Sequence, residues 1–197
     1  MNVLFLLDEY TDTEPAHGVH KIVDIVVDAL RNPAKPRTEG EVVLGEIVRQ
    51  SVPYNIFLMN YHLMTFPLPR FWSRGCIIAT PEAGRHFVET FTDYMKSVAT
   101  QAEDRDNTTL HDIDSYLALR RRDVGARPSF MPGELHISLP DEAFYHPIIK
   151  ELEDLVVDLI ILDNVSYLST LCIPSSELLI SLATGYCFIQ QGASSWG

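Results

Sequence analysis

Basic residues are scarce in this chain: 15 lysines and arginines stand against 27 aspartates and glutamates, a net charge of −12 over 197 residues. That balance argues against nucleic acid or an anionic membrane surface as a partner. It would also repel an anionic substrate unless metal ions invert the local field. Cysteine is scarcer still. Cys76, Cys172 and Cys187 are scattered, which makes neither a disulfide framework nor a zinc site of CxxC spacing, so a reducing, cytoplasmic location is expected. No basic segment precedes the short apolar run Val3-Leu4-Phe5-Leu6-Leu7, which argues against a signal peptide. No stretch is long and apolar enough to predict a membrane span. Internal repeats and strong hairpin signals are also lacking. Residues 165–197 hold no Asp, Lys or Arg, and Glu177 is their one charged side chain.

What remains is a globular composition, 46% hydrophobic and 21% charged, in a chain long enough for one domain with a sizeable core. Val19, Ile22, Val23, Val26, Val27 and Leu30 recur at helical spacing and predict a helix from His20 to Arg31. Asn32-Pro33 ends it. A second helix is expected over Glu41–Gln50, with Val43, Leu44, Ile47 and Val48 inward. A long one should run from Pro81 to Asp104 behind a Thr80 N-cap, carrying Phe87, Phe91, Tyr94, Met95 and Val98. Asp112–Arg121, a stretch opening at Arg127-Pro128, Asp141–Tyr145 and Pro147–Leu162 follow. In the last, Leu152, Leu155, Val156, Leu159 and Ile160 form a wide apolar face, which predicts deep burial. The fold class is all-α.

Where the first apolar run ends stands Asp8-Glu9-Tyr10-Thr11-Asp12. On a helix, Asp8 and Asp12 stack on one face about 5–6 Å apart. Two hard oxygen ligands so placed can hold Mg²⁺ that also binds a substrate phosphate; the plainer alternative is a solvated or capping helix end. Other constellations carry less. His17 and His20 beside Glu14 suit a polar helix face better than a metal, and Asp112 and Asp114 beside His111 suit capping.

Five segments together resemble a class I terpene synthase, most of all the fungal (basidiomycete-type) sesquiterpene synthases. They are LLDEYTDTEP, NPAKPRTEGEVVLGEI, RHFVETFTDYMKSVATQAEDRD, DIDSYLALRRRDVGARPSF and LPDEAFYHPIIKELEDLVVDLIILDN. The resemblance implies a partial class I terpenoid synthase helical bundle with Mg²⁺ as cofactor and farnesyl diphosphate, or a similar prenyl diphosphate, as substrate. It assigns Asp8 as leading metal ligand, with Asp12 assisting. In Arg120-Arg121-Arg122-Asp123-Val124-Gly125 it makes Arg120 the diphosphate sensor and Asp123 its linking residue, with a shift to Arg121 open. An arginine suits that role because its fork bonds phosphate oxygens in pairs. Phe5, Phe87, Phe91 and Tyr116 are aromatic candidates for a cation-stabilising wall, with core packing the plainer reading of each.

The family's second metal motif, N-D-x-x-S-x-x-x-E, begins here at Asp163-Asn164 and then breaks off, leaving Asn164 as its one metal candidate. Residues 1–164 are therefore expected to be a partial synthase domain, with 51–70 an insertion and 165–197 a non-homologous tail, disordered or misfolded. Translated introns would account for both odd segments. Val165-Ser166-Tyr167 permits GTG AGT TAC, a splice-donor start, and Gly185–Gly197 shifted by one base permits D-I-V-S-Y-N-K-E, the missing motif. Gln50 and Arg70 permit a second, frame-preserving junction that would join Arg49-Gln50 to Phe71-Trp72. Coding DNA with incompatible codons would end that hypothesis. The expected function is Mg²⁺-dependent ionisation and cyclisation of farnesyl diphosphate, impaired in so truncated a chain. The alternatives are an inactive remnant or helical binding module, and a prenyl chain-elongating synthase, which normally carries two DDxxD-like motifs.

Overall fold

The computed structural model describes residues 2–49 and 71–172, and every regular element among them is helical. The expected insertion at 51–70 lies outside the described residues, as does the tail from 173 onward. Helix α1 (Asn2–Asp12) buries Val3, Leu4, Leu7 and Thr11 on one face. Thr11 Oγ1 donates back to the Leu7 carbonyl at 2.9 Å, so even the polar member of that face is satisfied. Pro15 then opens α2 (Ala16–Arg31), four residues ahead of the expected start; its buried face, Val19, Ile22, Val23, Val26, Ala29 and Leu30, is the one its periodicity gives. Helix α3 (Val43–Val48) is shorter than expected because Arg49 turns extended, its guanidinium held by Asp28 at 3.1 Å and by Glu41. Helix α4 (Phe71–Ile78) brings Trp72, whose indole donates to the Leu30 carbonyl at 2.9 Å and stacks on Phe87 with ring centroids 4.2 Å apart. One of the free carbonyls at the end of α2 is thereby capped by a core residue.

The centre of the bundle is α5 (Pro81–Asn107), roughly 40 Å long at 1.5 Å per residue. Thr80 caps it as expected, its hydroxyl accepting from the Ala83 amide at 3.2 Å, and Thr108 ends it in the left-handed conformation. Phe87, Phe91, Tyr94 and Met95 bury one stripe of α5 against α1, α2 and α4, which makes Phe87 and Phe91 core residues; Phe5 points outward, 73% exposed. Helix α6 (Ile113–Asp123) starts at Asp112, which accepts from the Ser115 amide at 2.8 Å. Gly125, at φ 71°, breaks the helical path and sends the chain into α7 (Ala126–Phe130), a 3₁₀ turn and α8 (Asp141–Phe144). A Cβ at Gly125 would sit 3.5 Å from Leu4 and 3.7 Å from Tyr94, so this glycine brings the end of α6 against α1 and α5.

Helix α9 (Pro147–Cys172) overturns one expectation and extends past another. It continues through 172, beyond Leu162 and into the stretch expected to be a non-homologous tail. Its wide apolar face is not buried: Leu152, Leu155, Val156 and Leu159 are exposed, Leu159 by 66%, and Ile160 is half-buried. Among the residues of α9 up to 164, only Val157 and Ile161 are buried, against Ala126, Leu117 and Val124. The reason is electrostatic. Asp158 takes the Arg121 fork at 2.6 and 2.7 Å, Asp154 pairs with Arg127, and Glu153 with Lys150 at 3.0 Å. The acidic side of α9 docks on the arginines of α6 and α7, and the leucine stripe is left facing outward.

Candidate acidic site between α1, α5 and α6

Asp8 and Asp12 stand on the last turns of α1, half-buried, where α1 meets α5 and the end of α6. Tyr94 of α5 donates its hydroxyl to Asp8 Oδ1 at 2.8 Å, and no hydrogen bond reaches Asp8 Oδ2 among the described residues. Asp12 makes no side-chain hydrogen bond among them. The path of the chain after the motif is fixed by Arg105, also of α5, which donates to the carbonyls of Thr11 at 3.3 Å and Glu14 at 2.5 Å. These bonds satisfy carbonyls that the end of a helix leaves free, and they place a cation beside Asp12.

From α6, Arg120 donates to Asp123 Oδ1 at 2.7 Å, one turn along the same helix. The Asp123 side chain is fully buried, and its Oδ2 has no hydrogen-bond partner. The three arginines part company there. Arg121 is held by Asp158 of α9, Arg122 reaches Asp93 of α5 at 3.2 Å, and Arg120 alone faces the carboxylates of α1. Consecutive helical residues point about 100° apart, so a run of three cannot serve one site.

Protonation follows from this geometry. Burial raises the Asp8 carboxyl above its usual range, opposed by the Tyr94 hydrogen bond and the Arg120 charge. Burial and then the neighbouring Asp8 raise Asp12, opposed by Arg105 and Arg120. Asp123 is pushed up to about 6, again first by burial, with Arg120 opposing and Asp8 adding to the rise. Tyr94 lies well above the usual phenol value because it is buried beside Asp8, so it remains a neutral donor. Asp8, Asp12 and Asp123 thus gather around Arg120, with Arg105 beside Asp12 and Arg122 near Asp123, and each still holds its proton more tightly than in water. A site short of positive charge in this way is suited to a divalent cation.

The donor set fits such an ion in part. Among the described residues no three His, Cys, Asp or Glu side chains converge as a metal cage. Mg²⁺ does not require one: it keeps waters and is bound through one or two carboxylates plus substrate phosphates. Asp8, with Oδ2 free, and Asp12 meet that lesser demand. Asn164 is exposed on α9, and no hydrogen bond joins it to Asp8 or Asp12. Tyr116 is half-buried beside Arg120. His20 pairs with Glu103 at 2.6 Å and His111 with Asp104 at 2.8 Å, outside this site. Sequence reasoning missed Tyr94 and Arg105 as partners of the acidic motif. The one available signal was a hydroxyl in the middle of an apolar stripe, which must find an acceptor when buried.

The family profile described as terpene synthase family 2, C-terminal metal binding, matches residues 1–167. Sesquiterpene synthase 14 of Postia placenta is 51% identical over 164 residues, 83% of this chain and 41% of that protein. Delta(6)-protoilludene synthase 18 of the same fungus is 44% identical over 169 residues, covering 85% of this chain and 43% of that protein. The delta(6)-protoilludene synthase of Cyclocybe aegerita is 43% identical over 83% of this chain. The chain spans less than half the length of these curated relatives. Among solved structures, the SVS_A2 protein from ancestral sequence reconstruction superposes with a TM-score of 0.64 at 20% identity, over 82% of this chain and 45% of that one, which shows a shared fold.

Proposed function

The chain belongs to the terpene synthase family, of the fungal class I kind, and from that premise we propose that it carries the diphosphate-gripping side of a lyase acting on farnesyl diphosphate or a similar prenyl diphosphate. Asp8 and Asp12 would hold Mg²⁺, the cofactor of this reading, with Asn164 of α9 a further candidate. An ion held by these residues would supply positive charge to a diphosphate leaving group. Arg120 would grip the same diphosphate. Asp123 holds one of its nitrogens and Tyr116 stands beside it, and its charge is permanent. The Arg121 alternative is disfavoured, since its fork is already spent on Asp158. Gly125 keeps this segment against Leu4 and Tyr94, so a pull on Arg120 is felt at the base of the acidic motif. The observation that carries the reading is the gathering of Asp8, Asp12 and Asp123 around Arg120, with Oδ2 of Asp8 and of Asp123 free of hydrogen bonds among the described residues. A cation bound there would offset the carboxylate charge, which a diphosphate alone would increase.

No helix among the described residues is long and apolar enough to cross a membrane, and a cytoplasmic place of action belongs to the proposal. A second reading, a chain that binds but turns over poorly, is favoured by the outward leucine stripe of α9. Carbocation chemistry needs an enclosed apolar wall that keeps water out. Incubation with farnesyl diphosphate and Mg²⁺, followed by assays of released diphosphate and of volatile products, tests both. Hydrocarbon product abolished by Asp8→Asn supports the enzyme. Mg²⁺-dependent binding of diphosphate without product supports the second reading, and neither binding nor product sinks both.

A further inference from the structure

We propose that Tyr94 is a positioning residue for the acidic motif, its hydroxyl fixing the Asp8 carboxylate so that the remaining oxygen is presented to Mg²⁺. The inference rests on the reading of Asp8 as a metal ligand. Tyr94 Oη donates to Asp8 Oδ1 at 2.8 Å across 86 residues of sequence, and Oδ2 accepts no hydrogen bond among the described residues. A carboxylate with one oxygen tied and the other free is already oriented for monodentate coordination, whereas an untied one samples rotamers and loses affinity in doing so. The phenol itself is rigid. It is 2% exposed, packs edge-on against Phe91 with centroids 5.7 Å apart at 83°, and lies against the backbone of Gly125. Its ring therefore contacts both the core stripe of α5 and the junction that carries Arg120 and Asp123. The role differs from ordinary core packing in one respect: it resides in a single oxygen atom, and phenylalanine would fill the core equally well.

Tyr94→Phe removes that atom and leaves the ring. The chain is titrated with Mg²⁺ in the presence of inorganic pyrophosphate by calorimetry, with Asp8→Asn and the double variant in parallel. Loss of an outer partner of a metal ligand typically weakens metal affinity by roughly 10- to 100-fold, so Tyr94→Phe should raise the Mg²⁺ dissociation constant at least tenfold. In the Asp8→Asn background the same change should do less than about twofold, because the partner it positions is gone. The rise in melting temperature that Mg²⁺ and pyrophosphate confer, measured against each variant's own unliganded melt, gives a second readout that a lowered baseline stability does not move. Wild-type Mg²⁺ affinity in Tyr94→Phe, with Asp8→Asn impaired, overturns the role of Tyr94 alone. An equal loss from Tyr94→Phe in both backgrounds also overturns it, since the effect then does not pass through Asp8. Unchanged affinity in Asp8→Asn overturns the ligand assignment and the inference with it.

Discussion

Asp123→Asn should stabilise the chain increasingly as pH rises. The wild-type side chain is fully buried, with Arg120 on one oxygen and nothing on the other, and burial pushes its carboxyl from the ordinary 3.8 up to about 6. A carboxyl raised in the folded state favours folding while protonated. That contribution is fully present below the unfolded value near 3.8 and is lost as pH climbs through about 6. The gap between the two values corresponds to about 3 kcal/mol. Asparagine keeps the shape and cannot ionise, so its stability relative to wild type should climb by up to about 3 kcal/mol between pH 4 and pH 8. Equilibrium urea unfolding followed by helical circular dichroism at intervals across that range gives the two curves. Taking their difference removes most of the background from Asp8 and Asp12, which titrate in both proteins. A difference that is flat with pH, or that shrinks as pH rises, would refute the claim that ionised Asp123 is strained where it sits.

Three further outcomes follow from the packing. Trp72→Phe should cost about 2 kcal/mol in urea unfolding, because it leaves the Leu30 carbonyl without its donor and opens space beside Phe87. Gly125→Ala should cost about 1–2 kcal/mol through backbone strain alone, since φ is 71° while the added methyl meets only ordinary contacts at 3.5 and 3.7 Å; a melting temperature equal to wild type would count against the turn. Replacing Leu155 and Leu159 together by glutamate should leave thermal stability within about 0.5 kcal/mol and reduce self-association in sedimentation, because both side chains are exposed. A loss of several kcal/mol there would mean that the stripe is buried after all.

Residues near one another in sequence gave up their structure readily. The buried face of α2 follows its 3.6-residue period, Thr80 and Asp112 cap the helices they precede, and Pro33 lies just past the end of α2. Helix and strand periods report only which residues share a face. They do not say what that face meets. Helix α9 carries two candidate inward sides, leucine-rich and acidic, and the choice between them was made by Arg121 and Arg127, which stand on α6 and α7. Hydrophobicity alone points to the wrong one.

The acidic site shows the same division more sharply. Asp8, Asp12, Arg120 and Asp123 could be named from their motifs, yet the motif cannot say which arginine of three faces the carboxylates; that follows only once Asp158 and Asp93 have claimed the other two. Nor can it say what holds Asp8. Its partner comes from a helix 86 residues away, in a stripe whose period marks it as core. Tyr94 satisfies both descriptions at once: its ring extends the row of Phe87 and Phe91, and its oxygen leaves the core to meet a carboxylate. A bundle that sets acidic residues at a half-buried helix end is helped by such residues, because a carboxylate drawn from water needs a donor from a neighbouring helix. On this view α5 is more than the centre of the hydrophobic core. Through Tyr94 and Arg105 it fixes both ends of the acidic motif, so the stability of the core and the geometry of the site depend on the same helix, and substitutions on its inward face should alter both together.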